Sequence, residues 1–149
     1  MPLKTTPPQL PGFEDEATLF SLSSEFLEAA TVLAATPPVQ IGYSLVTYYL
    51  TGHAAELMLK SFLFKRGDSI EALKKKYQHN LKQLVSRART RGLPLSILTE
   101  HIQSFSRAYS QKCTEYRKTE FLALPPLDLL IQEVRRLQSY TFNQVAELN

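Results

Sequence analysis

The sequence predicts an all-α fold, an antiparallel up-and-down bundle of four to five helices. Three observations indicate it: apolar residues recur at helical spacing, prolines and glycines separate the helical segments, and no segment alternates apolar and polar residues as a strand does. The 149 residues suit a single domain, and 44% hydrophobic with 21% charged residues is an ordinary globular composition. We therefore expect one packed core.

The N-terminal part divides into an arm and a first helix. Residues 1–12 are rich in proline and have no helical period, so we expect an extended arm before a helical domain over residues 13–149. The first helix is predicted from Glu14 to Ala35, because acidic residues lie in its first turn and two prolines follow its end. Its expected buried stripe is Leu19, Leu22, Phe26, Ala29 and Leu33.

The second predicted helix is apolar on nearly every face. It begins at Val39 or Ile41 and ends at Arg66, and Gly67 supplies the residue that typically follows a helix C-terminus. An apolar surface all round is typical of a helix in the middle of a bundle. Polar residues interrupt it well short of the roughly 20 apolar residues that a membrane span needs, so we expect no membrane insertion.

Three further helices are predicted beyond a polar connection that carries Lys74 to Lys76. The third spans residues 80–91, the fourth starts after Pro94, and the fifth follows Pro125-Pro126. Residues 112–124 lack a helical period and are predicted as a loop. The expected buried residues are Leu81, Leu84, Val85 and Ala88 in the third helix, Leu95, Leu98, Ile102, Phe105 and Tyr109 in the fourth, and Leu127, Leu130, Ile131, Val134 and Leu137 in the fifth.

A polar line crosses the apolar second helix. Tyr49, His53, Glu56 and Lys60 are separated by four, three and four residues, a spacing that places them on one face. In one interpretation Glu56 and Lys60 form an ordinary ion pair, worth about 0.3 to 0.5 kcal/mol if exposed, with His53 hydrogen-bonded beside it. In the other, the line faces a groove and meets polar groups from elsewhere in the chain.

Two residues outside this helix are the candidates to meet the line. His79 precedes the third helix, where its side chain either caps the helix or points into a cleft. Arg117 precedes the fifth helix, and its guanidinium suits a phosphate or the Glu56 carboxylate, unless it is a solvated loop cation. The candidate binding residues are therefore His53, Glu56, Lys60, His79 and Arg117.

Metal and cofactor chemistry have little support in the sequence. His53 and Glu56 could share one ion, but the second Glu-x-x-His pair of a di-iron bundle is missing. Cys113 has no neighbour that would activate it as a nucleophile, and no Gly-rich phosphate loop occurs. We expect neither a metal nor a cofactor.

The net charge and the cysteine content limit the kinds of partner and the cellular compartment that we expect. A net charge of +3 permits an acidic partner such as RNA without requiring one. The basic residues are either solvated surface or, if they converge on one side of the bundle, an RNA-facing surface. The single cysteine cannot form an internal disulfide and the N-terminus has no secretory pattern, so we expect a cytoplasmic protein.

The second and third predicted helices carry a specific pattern. Residues 52–63 are Gly-His-Ala-Ala-Glu-Leu-Met-Leu-Lys-Ser-Phe-Leu, and residues 77–84 are Tyr-Gln-His-Asn-Leu-Lys-Gln-Leu. Together with Tyr116-Arg117, these segments resemble the HEPN (higher eukaryotes and prokaryotes nucleotide-binding) family. Its similar members carry an Ala-x-Glu-Leu-x-Leu-Lys helix, a His-Asn/Asp-Leu-x-x-Leu helix and a Tyr-Arg element before the last helix. The resemblance covers residues 41–137.

The resemblance implies a four- or five-helix bundle, commonly a homodimer, used in nucleic-acid defence, in toxin–antitoxin pairs or with a small nucleotidyltransferase as partner. Many members are metal-independent ribonucleases in which an Arg is followed four to six residues later by a His, a motif this chain lacks. We therefore expect a non-catalytic domain that binds a nucleotide, RNA or a partner protein. The alternatives are a divergent metal-independent ribonuclease using His79 and Arg117, and a purely structural interaction module.

A homodimer is also favoured by the residues themselves. The second helix is more apolar than the edge of a bundle requires, and the end of the fifth helix carries Tyr140, Phe142 and Val145. A dimer with twofold symmetry is the commonest way to cover such surface.

Overall fold

All regular secondary structure in the described part of the chain is helical, with five long helices and one short one. The computed structural model describes residues 15–36, 45–111 and 124–146, and no strand occurs in these ranges. The predicted all-α bundle is therefore confirmed. The elements are α1 (Glu16–Ala35), α2 (Leu45–Lys65), α3 (Ile70–Ala72), a π-helical turn (Leu73–Tyr77), α4 (Leu81–Thr90), α5 (Glu100–Ser110) and α6 (Leu127–Ala146).

Helix α2 is the centre of the bundle, as its sequence predicts. It contacts α1, α4, α5 and α6, and every residue from 54 to 63 is buried. Its apolar surface is thus covered within one chain, so the character of α2 does not itself require a second copy. Gly52 lies where α5 packs closely on α2, because a Cβ atom there would lie only 2.7 Å from the rings of Phe105 and Tyr109.

Helix α1 packs through a different stripe from the predicted one. Its buried residues are Leu19, Ser23, Leu27 and Ala30. Ala29 is exposed, as are Leu22 and Leu33, so the expected stripe is wrong except at Leu19 and the half-buried Phe26. Ser23 can be buried because its hydroxyl donates to the carbonyl of Phe20 at 2.7 Å, a local bond that a count of apolar residues does not detect.

The polar connection before α4 is a helical turn rather than a loop. Ser69 caps α3, and the chain then widens into the π-helical turn, which buries Leu73 and Tyr77 and leaves the three lysines between them exposed. Gln78 follows with a φ of 42°, an uncommon value for a residue with a side chain. Asn80 then caps α4 by accepting from the Gln83 amide at 3.0 Å.

Helix α5 begins later than predicted. Leu95 and Leu98 are 82% and 52% exposed, so the predicted fourth stripe is wrong at its first two positions and correct from Ile102 onward. The Arg89 guanidinium explains the late start, because it donates to backbone carbonyls of the preceding segment, including that of Ile97 at 2.7 Å. These bonds hold the segment in a non-helical path.

The remaining contacts join the helix ends. Glu133 of α6 accepts from two amides in the first turn of α5, those of His101 and Ile102, at 2.9 and 3.0 Å.

The predicted buried residues of α4 and α6 are all buried except Leu127, which is half-buried. The predicted arm over residues 1–12, and the predicted loop except for Leu124, lie outside the described residues.

The C-terminal half of α6 is less exposed than the sequence predicts for a dimer face. Val145 is buried and Tyr140 half-buried, whereas Phe142 is exposed. No helix in the described ranges is both long and apolar enough to span a bilayer.

Candidate binding site around Glu56

The carboxylate of Glu56 is the centre of a polar cluster inside the bundle. Its Oε2 accepts from Lys60 Nζ at 3.0 Å. Its Oε1 accepts from His79 Nδ1 at 2.7 Å and from the Tyr109 hydroxyl at 2.9 Å. Glu56 is only 2% exposed, so these three donors replace water around the charge. We call Glu56, Lys60, His79, Tyr109 and His53 the Glu56 cluster.

Three separate elements deliver the members of the cluster. Glu56 and Lys60 lie one turn apart on α2, so their pairing follows from helical spacing. His79 comes from the two-residue link between the π-helical turn and Asn80. Tyr109 comes from the last turn of α5, which can lie this close to α2 because residue 52 has no side chain.

His53 extends the cluster through Tyr109. Its Nδ1 lies 2.8 Å from the Tyr109 hydroxyl. Because that hydroxyl donates its one proton to Glu56, it accepts from His53, which places a proton on His53 Nδ1. His79 likewise carries a proton on Nδ1, since a carboxylate oxygen only accepts. A continuous hydrogen-bonded chain therefore runs from His53 through Tyr109 and Glu56 to His79.

Two aromatic rings enclose the imidazole of His53. Phe26 of α1 meets it edge-on at 4.5 Å between centroids, and Tyr49 stacks on it at 5.9 Å with an interplanar angle of 10°. Burial lowers the pKa of His53 below its ordinary value of 6.5, although the nearby Glu56 charge opposes that shift. His53 is therefore neutral at physiological pH.

Glu56 remains ionised despite its burial. Burial raises the pKa of this carboxyl, but the Lys60 charge and the hydrogen bonds from His79 and Lys60 outweigh it, and the pKa lies below the ordinary value of 4.5. The cluster thus contains a carboxylate and an ammonium that neutralise each other.

The cluster is closed on the α2 side and open at His79. Lys60 is 9% exposed, whereas half of the His79 side chain is exposed to solvent. A shallow groove between α1 and α6, lined by Phe20, Phe142 and neighbouring polar residues, contains no member of the cluster. His79 is therefore the most exposed member of the cluster and the one that a ligand meets first.

Four of the five residues predicted as binding residues come together. His53, Glu56, Lys60 and His79 are joined directly or through Tyr109, while Arg117 lies outside the described residues. Tyr109 was predicted as a buried residue of its helix and not as a member of this polar group. The available signal was its hydroxyl, since a buried tyrosine requires a hydrogen-bond partner.

The described residues do not offer a metal site. In the three described ranges, no group of three or more His, Cys, Asp or Glu side chains is arranged to hold an ion. The oxygens of Glu56 are occupied by nitrogen and hydroxyl donors, which a cation would have to displace.

Compared with models of protein families, with curated proteins and with solved structures, the chain returned no match. Its function is therefore inferred from the chemistry of the cluster and its surroundings.

Proposed function

We propose that the chain is a cytoplasmic, HEPN-like helical domain that binds RNA or a nucleotide at the surface around His79 without cleaving it. The observation that carries this proposal is the geometry of Glu56, whose buried carboxylate orients a half-exposed imidazole at 2.7 Å. An imidazole held in this way presents its other nitrogen to a hydrogen-bond donor of the ligand, such as a base amino group, at little cost in side-chain entropy.

The charge around His79 supports an anionic ligand. Lys74, Lys75 and Lys76 are exposed on the π-helical turn just before it, and Lys82 is exposed in the first turn of α4 just after it. The N-terminus of α4 adds the positive end of a helix dipole. Basic residues grouped in this way attract phosphates independently of base sequence.

The composition of the cluster favours binding over cleavage. Cleavage by attack of the 2′-hydroxyl requires a base, an acid and a cation that stabilises the phosphorane. His79 supplies one such group, whereas His53 is bonded to Tyr109 and packed between two rings. The Lys60 charge is bound to the Glu56 carboxylate.

The test is an assay of labelled single-stranded RNA in EDTA that scores retention and cleavage together. We expect the native protein to retain intact RNA, and His79→Ala to weaken retention by about tenfold, the value of one hydrogen bond worth about 1.4 kcal/mol. His101→Ala is the matched control, since it removes a histidine that lies near a different carboxylate, that of Glu133. Absence of retention by the native protein would refute the proposal.

A divergent metal-independent ribonuclease is the second candidate. The observation in its favour is the same Glu56–His79 contact, because a carboxylate on Nδ1 leaves Nε2 available as a general base or acid. In this reading Arg117 stabilises the phosphorane. RNA cleavage in EDTA that is lost in both His79→Ala and Arg117→Ala would establish this candidate over the first.

We also propose that the chain forms a homodimer through α1 and α2. The contact of Phe26 with His53 shows the register of these antiparallel helices and places Leu33 level with Val46. Leu22, Leu33 and Val46 are 42%, 39% and 59% exposed, so both helices carry apolar side chains that a second copy could cover. A twofold dimer covers such a face with its own copy. Light scattering of the native protein and of Leu33→Glu/Val46→Glu tests this, with a monomeric native protein as the contradicting result.

The HEPN resemblance further implies a nucleotidyltransferase-type protein as a partner. Such a partner would bind a surface other than the α1–α2 surface, which we propose for the homodimer.

A further inference from the structure

His79 has the two properties of a nucleophilic histidine, a fixed tautomer and an exposed ring. Its Nδ1–H donates to Glu56 at 2.7 Å, so in the neutral imidazole the lone pair is on Nε2. Because Nδ1 faces the buried carboxylate, the exposed half of the side chain includes the edge with Nε2. We infer that Nε2 of His79 is an acceptor of phosphoryl groups, a chemistry separate from the proposed RNA binding.

The carboxylate that holds His79 is itself fixed in position. Lys60 binds the other oxygen of Glu56 at 3.0 Å, and Tyr109 donates to the same oxygen as His79 at 2.9 Å. The Glu56 side chain is 3% exposed and therefore cannot exchange these donors for water. The imidazole thus remains in one tautomer and one orientation before any donor arrives.

The other two histidines of the chain, both within the described ranges, lack this combination. The ring of His53 lies between Phe26 and Tyr49, and its Nδ1 is bonded to Tyr109. The side chain of His101 is 26% exposed, and its Nε2 lies 3.9 Å from Glu133. A small phosphoryl donor should therefore react with His79 in preference to His53 and His101.

The backbone at His79 is unusual in two independent ways. A five-residue π-helical turn ends at Tyr77, and Gln78 then adopts a φ of 42°. π-Helical turns and residues at positive φ frequently mark functional sites, because the conformational cost is retained only where the geometry is needed. Here both features precede the residue that reaches Glu56.

The surroundings suit a bound phosphoryl group. His79 lies two residues before the first residue of α4, a helix of 10 residues whose N-terminus favours anions. Exposed Lys82 in the first turn and exposed Lys76 before the link add positive charge near the acceptor. These groups lower the repulsion between the approaching donor and the Glu56 carboxylate.

The transfer balances with a phosphoramidate-type donor, which includes the phosphohistidine of another protein. The lone pair of Nε2 attacks phosphorus, an N–P bond forms, and the P–N bond of the donor breaks with its electron pair leaving on the donor nitrogen. With phosphoramidate itself, whose nitrogen carries three protons in the zwitterionic form, the leaving group is ammonia. No proton has to move, because Nδ1–H stays on the ring, which becomes cationic beside Glu56. Glu56 is thus a positioning residue that also stabilises the charge formed.

The experiment incubates the full chain with potassium phosphoramidate at neutral pH. Intact-mass spectrometry follows the reaction and ³¹P NMR identifies the phosphorylated nitrogen. We expect one phosphoryl group, on Nε2 of His79. His79→Gln should abolish it, and His101→Gln should leave its rate unchanged. Phosphorylation of His101 at the same rate as His79 would overturn the inference.

A second set of variants isolates the carboxylate. Glu56→Gln should slow phosphorylation of His79 by at least about tenfold, since a charge-assisted hydrogen bond is replaced by a neutral one. Tyr109→Phe keeps the carboxylate and should retain most of the rate. If Glu56→Gln unfolds the chain, the native protein titrated in urea provides the comparison. An unchanged His79 rate on unfolding, or in folded Glu56→Gln, would refute the role of the dyad. Loss of RNA binding with intact phosphorylation refutes only the proposed function.

Discussion

Nδ1 of His79 lies 2.7 Å from Oε1 of Glu56, although 23 residues separate them and only one of the two side chains is buried. The contact joins the surface of the bundle to its interior. A change at the buried end should therefore alter both the stability of the fold and the chemistry of the exposed ring.

We expect Glu56→Gln to destabilise the fold by about 3 kcal/mol, because it leaves the buried ammonium of Lys60 without its counter-charge. Urea unfolding followed by circular dichroism measures the change. The double variant Glu56→Leu/Lys60→Met is the control, because removing both charges together costs less than removing one. A double variant less stable than the single one would contradict this explanation.

We expect the stability to fall as the pH decreases below about 6.5. Burial holds the pKa of His53 below 6.5, so the unfolded chain binds a proton more readily than the folded one between those two values. Stability that is complete above 6.5 is then lost as the pH falls towards the folded pKa. His53 faces Tyr109, Glu56, Lys60 and His79, so the decline belongs to a coupled group.

Thermal unfolding of the native protein and of His53→Gln between pH 7 and 5 measures this dependence. The slope should become smaller in His53→Gln than in the native protein. An equal slope in native protein and His53→Gln would assign the pH dependence elsewhere.

We expect Gly52→Ala to destabilise the protein by about 1 to 3 kcal/mol. In an exposed helix this change stabilises by up to about 1 kcal/mol, so the sign of the effect distinguishes packing from helix propensity. Here the added Cβ would lie 2.7 Å from the rings of Phe105 and Tyr109. Chemical denaturation gives the sign, and Phe105→Leu added to Gly52→Ala should recover part of the loss.

We expect Asp68→Asn to cost about 1.5 to 3 kcal/mol, a value typical of losing hydrogen bonds to a charged group. The Asp68 carboxylate accepts from Arg87 at 2.9 and 3.0 Å and from Arg91 at 2.8 Å, which ties the end of α2 to α4. The hydrogen bond from Arg87 is the main reason that the pKa of Asp68 lies below 3.8.

The pH dependence gives a second readout of Asp68. Stability from this carboxylate is present above pH 3.8 and is lost as the pH falls through its lower folded pKa. The difference between native protein and Asp68→Asn should therefore shrink in strong acid. A constant difference at every pH would contradict the assignment.

Helix α4 could be predicted in detail because each of its features is a local signal. Asn80 is a strong N-cap, Gly92 follows the end, and the four inward residues are all apolar. α1 could not, because its stripe includes a serine whose hydroxyl bonds its own backbone. The late start of α5 depends on Arg89, a residue from another helix, and this kind of tertiary bond leaves no periodic pattern.

The Glu56 cluster likewise contains residues that the sequence predicts and one residue that it does not. The line of His53, Glu56 and Lys60 follows from spacing on one helix, and His79 was a candidate to meet it. Tyr109 was not predicted to meet this line, because its spacing places it in the apolar stripe of its own helix. Only the packing of α5 against Gly52 brings the hydroxyl to the carboxylate.

The π-helical turn has a consequence for how this protein tolerates insertions and deletions. Each residue of an α-helix rotates the chain by about 100°, and a π-helical turn is wider than an α-helical one. Deleting a single residue from Leu73–Tyr77 would favour ordinary α-helix there and turn His79 away from Glu56. The number of residues between α2 and Asn80 should therefore stay constant between related chains.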